Sequence, residues 1–526
     1  MGKALKASAV TAAIGTVGAA ILRGRKWLSN RNGVPAVVIG SGAGGMAAAV
    51  ALLERKIPVL MMEAGPLNDP QDVQTHQPGV ADESYRTTSQ MPFQWYRMRQ
   101  VGGKMTRWLA HCPRMSHADF NGSKVPDHPW PLTYEELAPY YTRVERLLGV
   151  VGSRDGIDDL PDGEFVGAFA PRVFEQNLHK QLIKAGISVT SGRYAAYPES
   201  AVRSKMGQVA IQRDPSIEAA VRYFRPVDDI YTTLLKNPNF SLLPLSTALR
   251  LELDQQTNRI EAISYYDESK KRQKMVRAKS VVIAAGCLES TKLLLNSTSS
   301  RYAAGIGNSS GTLGKYLTDH SQALIVCPVP DDFDIGTVPG STDIPRPERF
   351  GGFIHCYGRK IKQLAPELLG MYSFQLHARK YTNETVVALN GMGFLEPREA
   401  NSIKLTSEQT PKGVPVPFIQ LDYSPDDLAR QERMVSVGQH LLGSLGQSEV
   451  PVAQKYPSSV HYAGTCRMGS DPETSMLDSF GESHEVKNLY VADASSFVTN
   501  PEKNPTLTLM ALAWRAGHRL AQRLSS

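Results

Sequence analysis

Residues 36–65 read AVVIGSGAGGMAAAVALLERKIPVLMMEAG. Ala36 to Ile39 is a short apolar run of the kind a strand buried on both faces needs. Gly40, Gly42 and Gly45 follow as G-x-G-x-x-G. The first glycine permits a tight turn, the second lets the backbone approach a pyrophosphate, and the third lets helix and sheet pack closely. The spacing predicts a helix from about Gly44 to Glu54, with its first-turn N–H groups aimed at phosphates. It predicts a second strand from Pro58 to Met62. Glu63 ends that strand 18 residues after Gly45, where a carboxylate can accept a hydrogen bond from a ribose 2′-OH. A glycine turn in some other α/β unit, with a solvated Glu63, is the competing reading. Strand, turn, helix, strand and acid in this order favour a dinucleotide site, with Ala43 and Gly44 in its wall. The acid favours an unphosphorylated ribose, hence NAD or FAD over NADP.

The remaining composition narrows the class. At 526 residues with 41 % hydrophobic and 21 % charged side chains, the chain can build large cores and is not a disordered segment. Its +7 formal charge is scattered, and no nucleic-acid motif accompanies it. No nucleic-acid partner is expected; an acidic membrane surface or an acidic partner is the weak alternative. Five widely spaced cysteines without a C-x-x-C argue for reduced, packed thiols rather than a disulfide framework. Ser8 to Leu22 is apolar, with Lys3 and Lys6 before it and Arg23, Arg25 and Lys26 after it. It is shorter than the ~20 residues of a usual membrane helix. It reads as a membrane-associated anchor, a helix packed on the protein or a tail. A cytoplasmic or membrane-associated location follows, with export the least favoured.

Farther along, Val101-Gly102-Gly103-Lys104-Met105-Thr106-Arg107-Trp108 suits a backbone passing close to a ligand, with Gly102, Gly103 and Thr106 as contacts. Thr133 and Glu136 form a capping-box pattern ahead of a helix that ends at Gly149. A helix is expected near 172–185 and another over Arg225 to Leu235. Residues 240–280 read as an antiparallel meander that returns to a buried strand, Val281 to Ala285, followed by a helix from Glu289 to Asn296. The runs ETVVALNGMGF and NSIKLTSEQ suggest strands of a mixed sheet, and Asp426 to Leu445 a helix. The last segment carries His461-Tyr-Ala-Gly-Thr-Cys466-Arg-Met-Gly469, then Asp493, then Asn504-Pro505-Thr506. A terminal helix spans about Leu507 to Leu524. Pro505 suits a helix N-terminus aimed at a ligand.

Taken together, GSGAGG with Glu63, VGGKMTRW, VVIAAGCLESTKLLLNS, LGKYLTDH, HYAGTCRMG and NLYVADASSFVTNPEKNPTLTLMALAWRA resemble the glucose–methanol–choline (GMC) oxidoreductases. The resemblance runs from about Val34 to Leu524. It is nearest to the branch of pyranose oxidase, glucoside 3-dehydrogenase and the gluconate dehydrogenase large subunit. That finer likeness is carried by Gly102-Gly103 through Trp108, by Cys112-Pro113-Arg114 and by the Asn-Pro-Thr-Leu-Thr ending.

The resemblance implies an α/β fold with α+β elements. In it a Rossmann-like FAD-binding domain is interleaved with a substrate domain built on an antiparallel or mixed sheet. Residues 1–32 would form the N-terminal tail or membrane-associated segment. Residues 33–125, 221–315 and 460–526 would form the FAD domain, and 126–220 and 316–459 the substrate domain. It implies FAD as cofactor and hydride transfer from a CH–OH carbon to flavin N5. His461 matches the base, and Asn504 the partner position. Thr506 lies by the flavin's pyrimidine end, Asp493 in the turn approaching the pyrophosphate, and Ala248 beside the adenine.

In pyranose oxidase-like members a histidine before the motif tryptophan can carry the flavin covalently. Arg107 stands there, so the FAD is expected to be non-covalent. Leu109 stands where those oxidases place a threonine, which favours a non-oxygen acceptor such as a quinone, a cytochrome or a small subunit. The substrate would be a small alcohol or sugar. The alternatives are an FAD-bearing electron-transfer subunit of a membrane complex, or an oxygen-using alcohol or pyranose oxidase.

An imidazole with pKa near ~6.5 suits proton abstraction at neutral pH, and Asn504 would orient the substrate oxygen. Taken alone, His461 would read as a hydrogen-bonded structural histidine and Asn504 as a helix cap. No metal is expected, because His461 and Cys466 lack further ligands at suitable spacing. His320 reads as structural or as a neighbour of the reacting groups. His111 and Cys112 could line the pocket.

Overall fold

A computed structural model describes residues 18–30, 32–67, 85–89, 95–106, 108, 110–167, 180, 183–184, 189–190, 192–195, 226–329, 353–354, 372–380, 385–443, 452–457 and 460–526. The continuous apolar runs read from the sequence form a five-stranded parallel sheet. Ala36–Ile39 is its central strand, with Val59–Met62 on one side and Val281–Ile283 on the other. Phe240–Leu243 and Leu489–Val491 are the outer strands. Every residue of all five strands is buried, as a parallel sheet covered on both faces requires.

The glycine turn leads into a helix, Ala43–Glu54, that is apolar on all sides and packs against the terminal helix Thr506–Ser525. The approach is close: a Cβ on Gly517 would lie 2.7 Å from the Ala48 carbonyl oxygen. The meander Ser246–Asp254, Arg259–Asp267, Arg272–Arg277 runs back into the Val281 strand, as expected. Cys287–Asn296 follows as a helix that begins two residues earlier than the sequence suggested. The Thr133 capping box is present: Glu136 N–H donates to Thr133 Oγ1 and Thr133 N–H to Glu136 Oε2, at 3.3 and 2.9 Å. Gly149 closes that helix in the left-handed conformation at φ 63°.

A second large sheet has six antiparallel strands. Its order is Val452–Pro457, His320–Val329, Thr385–Phe394, Tyr372–Lys380, Phe353–Ile354, Val189–Thr190. The helix Pro425–Gly443 packs on it. The register of the first two strands matters for the site. Ser321 pairs with Pro457, so the start of one strand and the end of its neighbour lie side by side. That register carries His320 and the segment leading to His461 to the same edge.

Residues 18–27 are helical and Ala20 is buried. Arg23 donates to the carbonyl oxygens of Phe240, Leu235 and Asn237 at 2.9–3.1 Å. Of the apolar N-terminal run, this part packs on the protein, and residues 8–17 lie outside the described residues. Among those described, no helix is long and apolar enough to cross a membrane. Most of the helix expected near 172–185 also falls outside them, as do Arg107 and Leu109.

Candidate active site

Against the parallel sheet, at Ile39 and Met62, lies a cavity of about 260 Å³. Glu63 and Ser246 to Ala248 line one end, Gly40, Gly42, Ala43 and Gly44 the middle, and Lys104, Trp108, His461, Pro505 and Thr506 the other end.

The glycine turn has the geometry its spacing predicts. A Cβ on Gly45 would lie 2.0 Å from the Gly40 carbonyl oxygen, and one on Gly44 would lie 1.8 Å from that of Ala492. Around the Cβ position of Gly42 nothing lies within 4 Å, so its backbone faces open cavity. Gly45 is therefore a packing glycine, behind the wall rather than in it. Gly102 N–H donates to Ser41 Oγ at 3.0 Å. Gly103, at φ 51°, brings the second glycine pair against the first, its Cβ position 3.2 Å from Gly42 Cα. Thr106 donates to the Gly103 carbonyl oxygen at 2.8 Å and closes its own turn, with Lys104 and Met105 as the wall.

Glu63 is buried and accepts from Ser41 N–H and Oγ at 3.1 and 2.5 Å and from Gly65 N–H at 2.8 Å. A carboxylate offers about four acceptor positions, so one remains for a ribose hydroxyl. Burial raises its pKa, and the Ser41 hydrogen bond offsets this in part. Asp493 has no such room. Its carboxylate accepts from Gly286 N–H, Ser290 Oγ, Ser495 N–H and Ser495 Oγ at 2.5–2.9 Å. It therefore straps the end of the Val281 strand to the 493–496 turn, and it lines the cavity as part of that strap.

At the far end His461 meets a second imidazole. His320 Nδ1 lies 3.0 Å from His461 Nδ1, and His320 Nε2 lies 2.5 Å from the Pro501 carbonyl oxygen. Asp319 Oδ1 accepts from the backbone N–H of both histidines, at 2.8 and 3.1 Å. Asn500 Nδ2 donates to the His461 carbonyl oxygen at 2.9 Å. Burial, with His320, Lys104 and His111 as neighbours of like charge, holds the His461 pKa well below the ordinary histidine value. Burial takes His320 down to about 4. His461 is thus a neutral imidazole at neutral pH.

Asn504 is half-buried immediately before Pro505 and Thr506, which form the wall here. The segment that carries it is fixed from behind by buried charges. Lys503 Nζ contacts Asp119, at 3.1 Å, and Glu502, while Lys124 Nζ contacts Asp119 and Asp159 at 2.7 Å each. Trp130 Nε1 donates to Thr499 Oγ1 at 2.9 Å.

Two residues of this end were not singled out as site residues. His320 looked structural because its neighbour comes from a strand pairing that one sequence does not display. Lys104 lay unremarked inside VGGKMTRW. Its ammonium is buried, donates to the Val460 carbonyl oxygen at 3.1 Å and sits over the rings of Tyr462 and Tyr96 at 5.4 and 5.7 Å. Burial lowers its pKa to about 8, with Asp319 opposing. His111 and Cys112 are buried outside the cavity wall, His111 against the Tyr194 ring at 4.6 Å, because the chain turns away after Trp108. Cys466 is likewise turned from His461, its Sγ 3.8 Å from Thr291 Oγ1. Burial pushes its thiol up to about 12, which leaves it unreactive at neutral pH.

These residues fit FAD. The open backbone at Gly42, the spare acceptor position on Glu63 and a cavity joining both to a neutral imidazole match a dinucleotide carrying a redox ring. The C-terminal family model of the GMC oxidoreductases matches residues 397–513, and the N-terminal one residues 228–322. The chain belongs to the GMC oxidoreductase family. As a GMC oxidoreductase it is an FAD-dependent enzyme that oxidises CH–OH groups. Two relatives align along most of its length. Paromamine 6'-oxidase of Streptomyces fradiae is 29% identical over 93% of this chain and 92% of its own. 2-Methyl-1,2-propanediol dehydrogenase of Mycolicibacterium austroafricanum is 26% identical over 93% and 95%. An FAD-dependent oxidoreductase from Chaetomium thermophilum superposes with TM-score 0.69 at 14% identity, over 93% of this chain and 99% of its own.

The charges facing His461 set a pH dependence for this GMC oxidoreductase. They are Lys104 and, once protonated, His320 and His111, with Asp319 opposite in sign at Lys104. Lys104→Met removes a positive neighbour, so the imidazole should hold its proton to higher pH. The acid limb of substrate-driven flavin reduction should move up by roughly half a unit to one unit. A rate–pH profile from stopped-flow absorbance checks this, and an unmoved or lowered limb refutes it.

Proposed function

We propose that this GMC oxidoreductase oxidises a sugar, a glycoside or another small alcohol, with His461 as the base and Asn504 orienting the substrate oxygen. The observation that carries this reading is the neutral His461 at the end of the cavity opposite Glu63. Bound FAD supplies the hydride acceptor, at flavin N5. The protein's part is positional and protic. The glycine loop and Glu63 hold the phosphate and ribose end, and His461 takes the hydroxyl proton as the carbonyl forms. Lys104, at the same end, supplies positive charge where the substrate oxygen becomes electron-rich.

Electrons leave to a non-oxygen acceptor. Leu109 beside the motif tryptophan supports this, while one relative is named an oxidase and the other a dehydrogenase. The flavin is held without a covalent bond, since Arg107 offers a guanidinium that does not lose its proton. Strand membership of the two large sheets supports the interleaved domain division. The parallel sheet draws its strands from 33–125, 221–315 and 460–526, and the six-stranded sheet from 126–220 and 316–459. The enzyme works in the cytoplasm or at a membrane surface. Arg25 and Lys26 beside the apolar run support surface association, whereas Arg23 is occupied by carbonyl groups.

The test is an anaerobic panel of sugars, glycosides and simple alcohols read by flavin absorbance. Bleaching by at least one class supports the proposal, and a flavin inert to the whole panel removes it. Admitting air or a quinone to the reduced protein then identifies the acceptor. Acid precipitation should release the yellow flavin into the supernatant.

A further inference from the structure

We infer that His320 is a positioning residue that fixes the tautomer of His461, so that Nε2 is the atom that receives the substrate proton. The inference rests on the proposed role of His461 as base.

The argument starts at a backbone carbonyl. Pro501 O carries only lone pairs, so its 2.5 Å contact requires a proton on His320 Nε2. A neutral imidazole carries one ring proton, which leaves His320 Nδ1 as an acceptor. Burial keeps His320 neutral, at about 4. The nitrogen facing it at 3.0 Å, His461 Nδ1, must then be the donor. The opposite tautomer would set two bare lone pairs against each other in a buried site. With its one proton on Nδ1, neutral His461 has a free lone pair on Nε2. The arrangement is held from both strands, since Asp319 Oδ1 accepts from both backbone N–H groups and Tyr423 OH donates to the His320 carbonyl oxygen at 3.3 Å.

In the reaction the substrate O–H bond breaks toward His461 Nε2, the C=O bond forms, and the hydride departs to the flavin with the C–H electron pair. The resulting imidazolium still donates from Nδ1 to His320, which stabilises its charge.

Asp319, His320 and His461 also bring potential metal-ligating atoms within 4.8 Å of one another. Two nitrogens 3.0 Å apart would subtend roughly 90° at a zinc ion with ordinary bond lengths, well short of tetrahedral. Asp319 Oδ1 is already taken by two N–H groups. The spacing is that of a hydrogen-bonded pair.

The experiment uses the FAD-loaded protein labelled with ¹⁵N-histidine, with wild type, His320→Leu and His320→Asn compared. In wild type the His461 nitrogens should report a protonated Nδ1 and a bare Nε2; a protonated Nε2 overturns the inference whatever the variants do. His320→Leu should mix the tautomers and lower the maximal rate of anaerobic flavin reduction by about 10²-fold, with half-saturation changed less than about threefold. His320→Asn, whose Oδ1 can accept from His461 Nδ1, should recover most of that rate. A folded, FAD-loaded His320→Leu protein reduced at the wild-type rate overturns the inference, as does stoichiometric metal found by elemental analysis. If His461→Ala is inactive while His320→Leu is normal, the base assignment stands and this inference fails. If His461→Ala is itself normal, the base assignment has failed.

Discussion

His461→Ala is expected to give a yellow, FAD-loaded protein whose anaerobic reduction by substrate is slowed by about 10²–10⁴-fold. The size follows from where the side chain stands. Burial, with the repulsion an imidazolium here would meet from Lys104, keeps it unprotonated at neutral pH, and it lines the cavity with Lys104 and Thr506. No other imidazole lines the cavity among the described residues. His320 is committed to Pro501 and to His461, and Lys104 is largely protonated below about 8. FAD retention is expected because the phosphate and ribose contacts lie at the other end. The measurement is stopped-flow flavin bleaching beside the absorbance ratio of flavin to protein. A variant that keeps its flavin and is reduced at the wild-type rate would remove His461 from the chemistry.

Lys503→Met should be the most damaging substitution away from the cavity, costing about 3–5 kcal/mol of stability. The lysine is fully buried. Burial opposes its charge, yet Asp119, Glu502 and Asp159 hold its pKa well above the ordinary lysine value. In wild type two lysines face three carboxylates; the substitution leaves three carboxylates around Lys124 alone. A midpoint of urea unfolding within the wild-type error would refute the estimate. Lys503→Met combined with Glu502→Gln should regain part of the loss, because one uncompensated carboxylate is removed with its partner. Activity should fall as well, since Lys503 is covalently next to Asn504.

The cofactor half of this protein is legible from sequence for a local reason. Turn, helix and acid in residues 36–65 lie within one βαβ unit, so spacing alone carries their geometry. The same holds for the Thr133 cap and the 240–280 meander, where the partners are near neighbours in the chain. The redox end is not local. His320 and His461 are brought together by the pairing of Ser321 with Pro457, and alternation along either strand says nothing of which strand lies beside it. Lys104 escaped notice because a lysine in a polar loop reads as solvated, and only the rings of Tyr96 and Tyr462 make it a buried cation. Asp493 lines the cavity, but its carboxylate is consumed by four donors on Gly286, Ser290 and Ser495, which no spacing rule reveals.

The parallel sheet has its central strand at Ala36–Ile39 and an outer strand at Leu489–Val491. During synthesis the glycine turn leaves the ribosome long before Asp493, Pro505 and Thr506, which complete the same cavity wall. Contacts of such sequence separation form slowly, and a growing chain ordinarily folds its earlier parts first. Here the early part displays a phosphate-binding turn with no enclosure around it. Enclosure of the cofactor in this protein therefore waits for the segment that carries Asp493, Pro505 and Thr506.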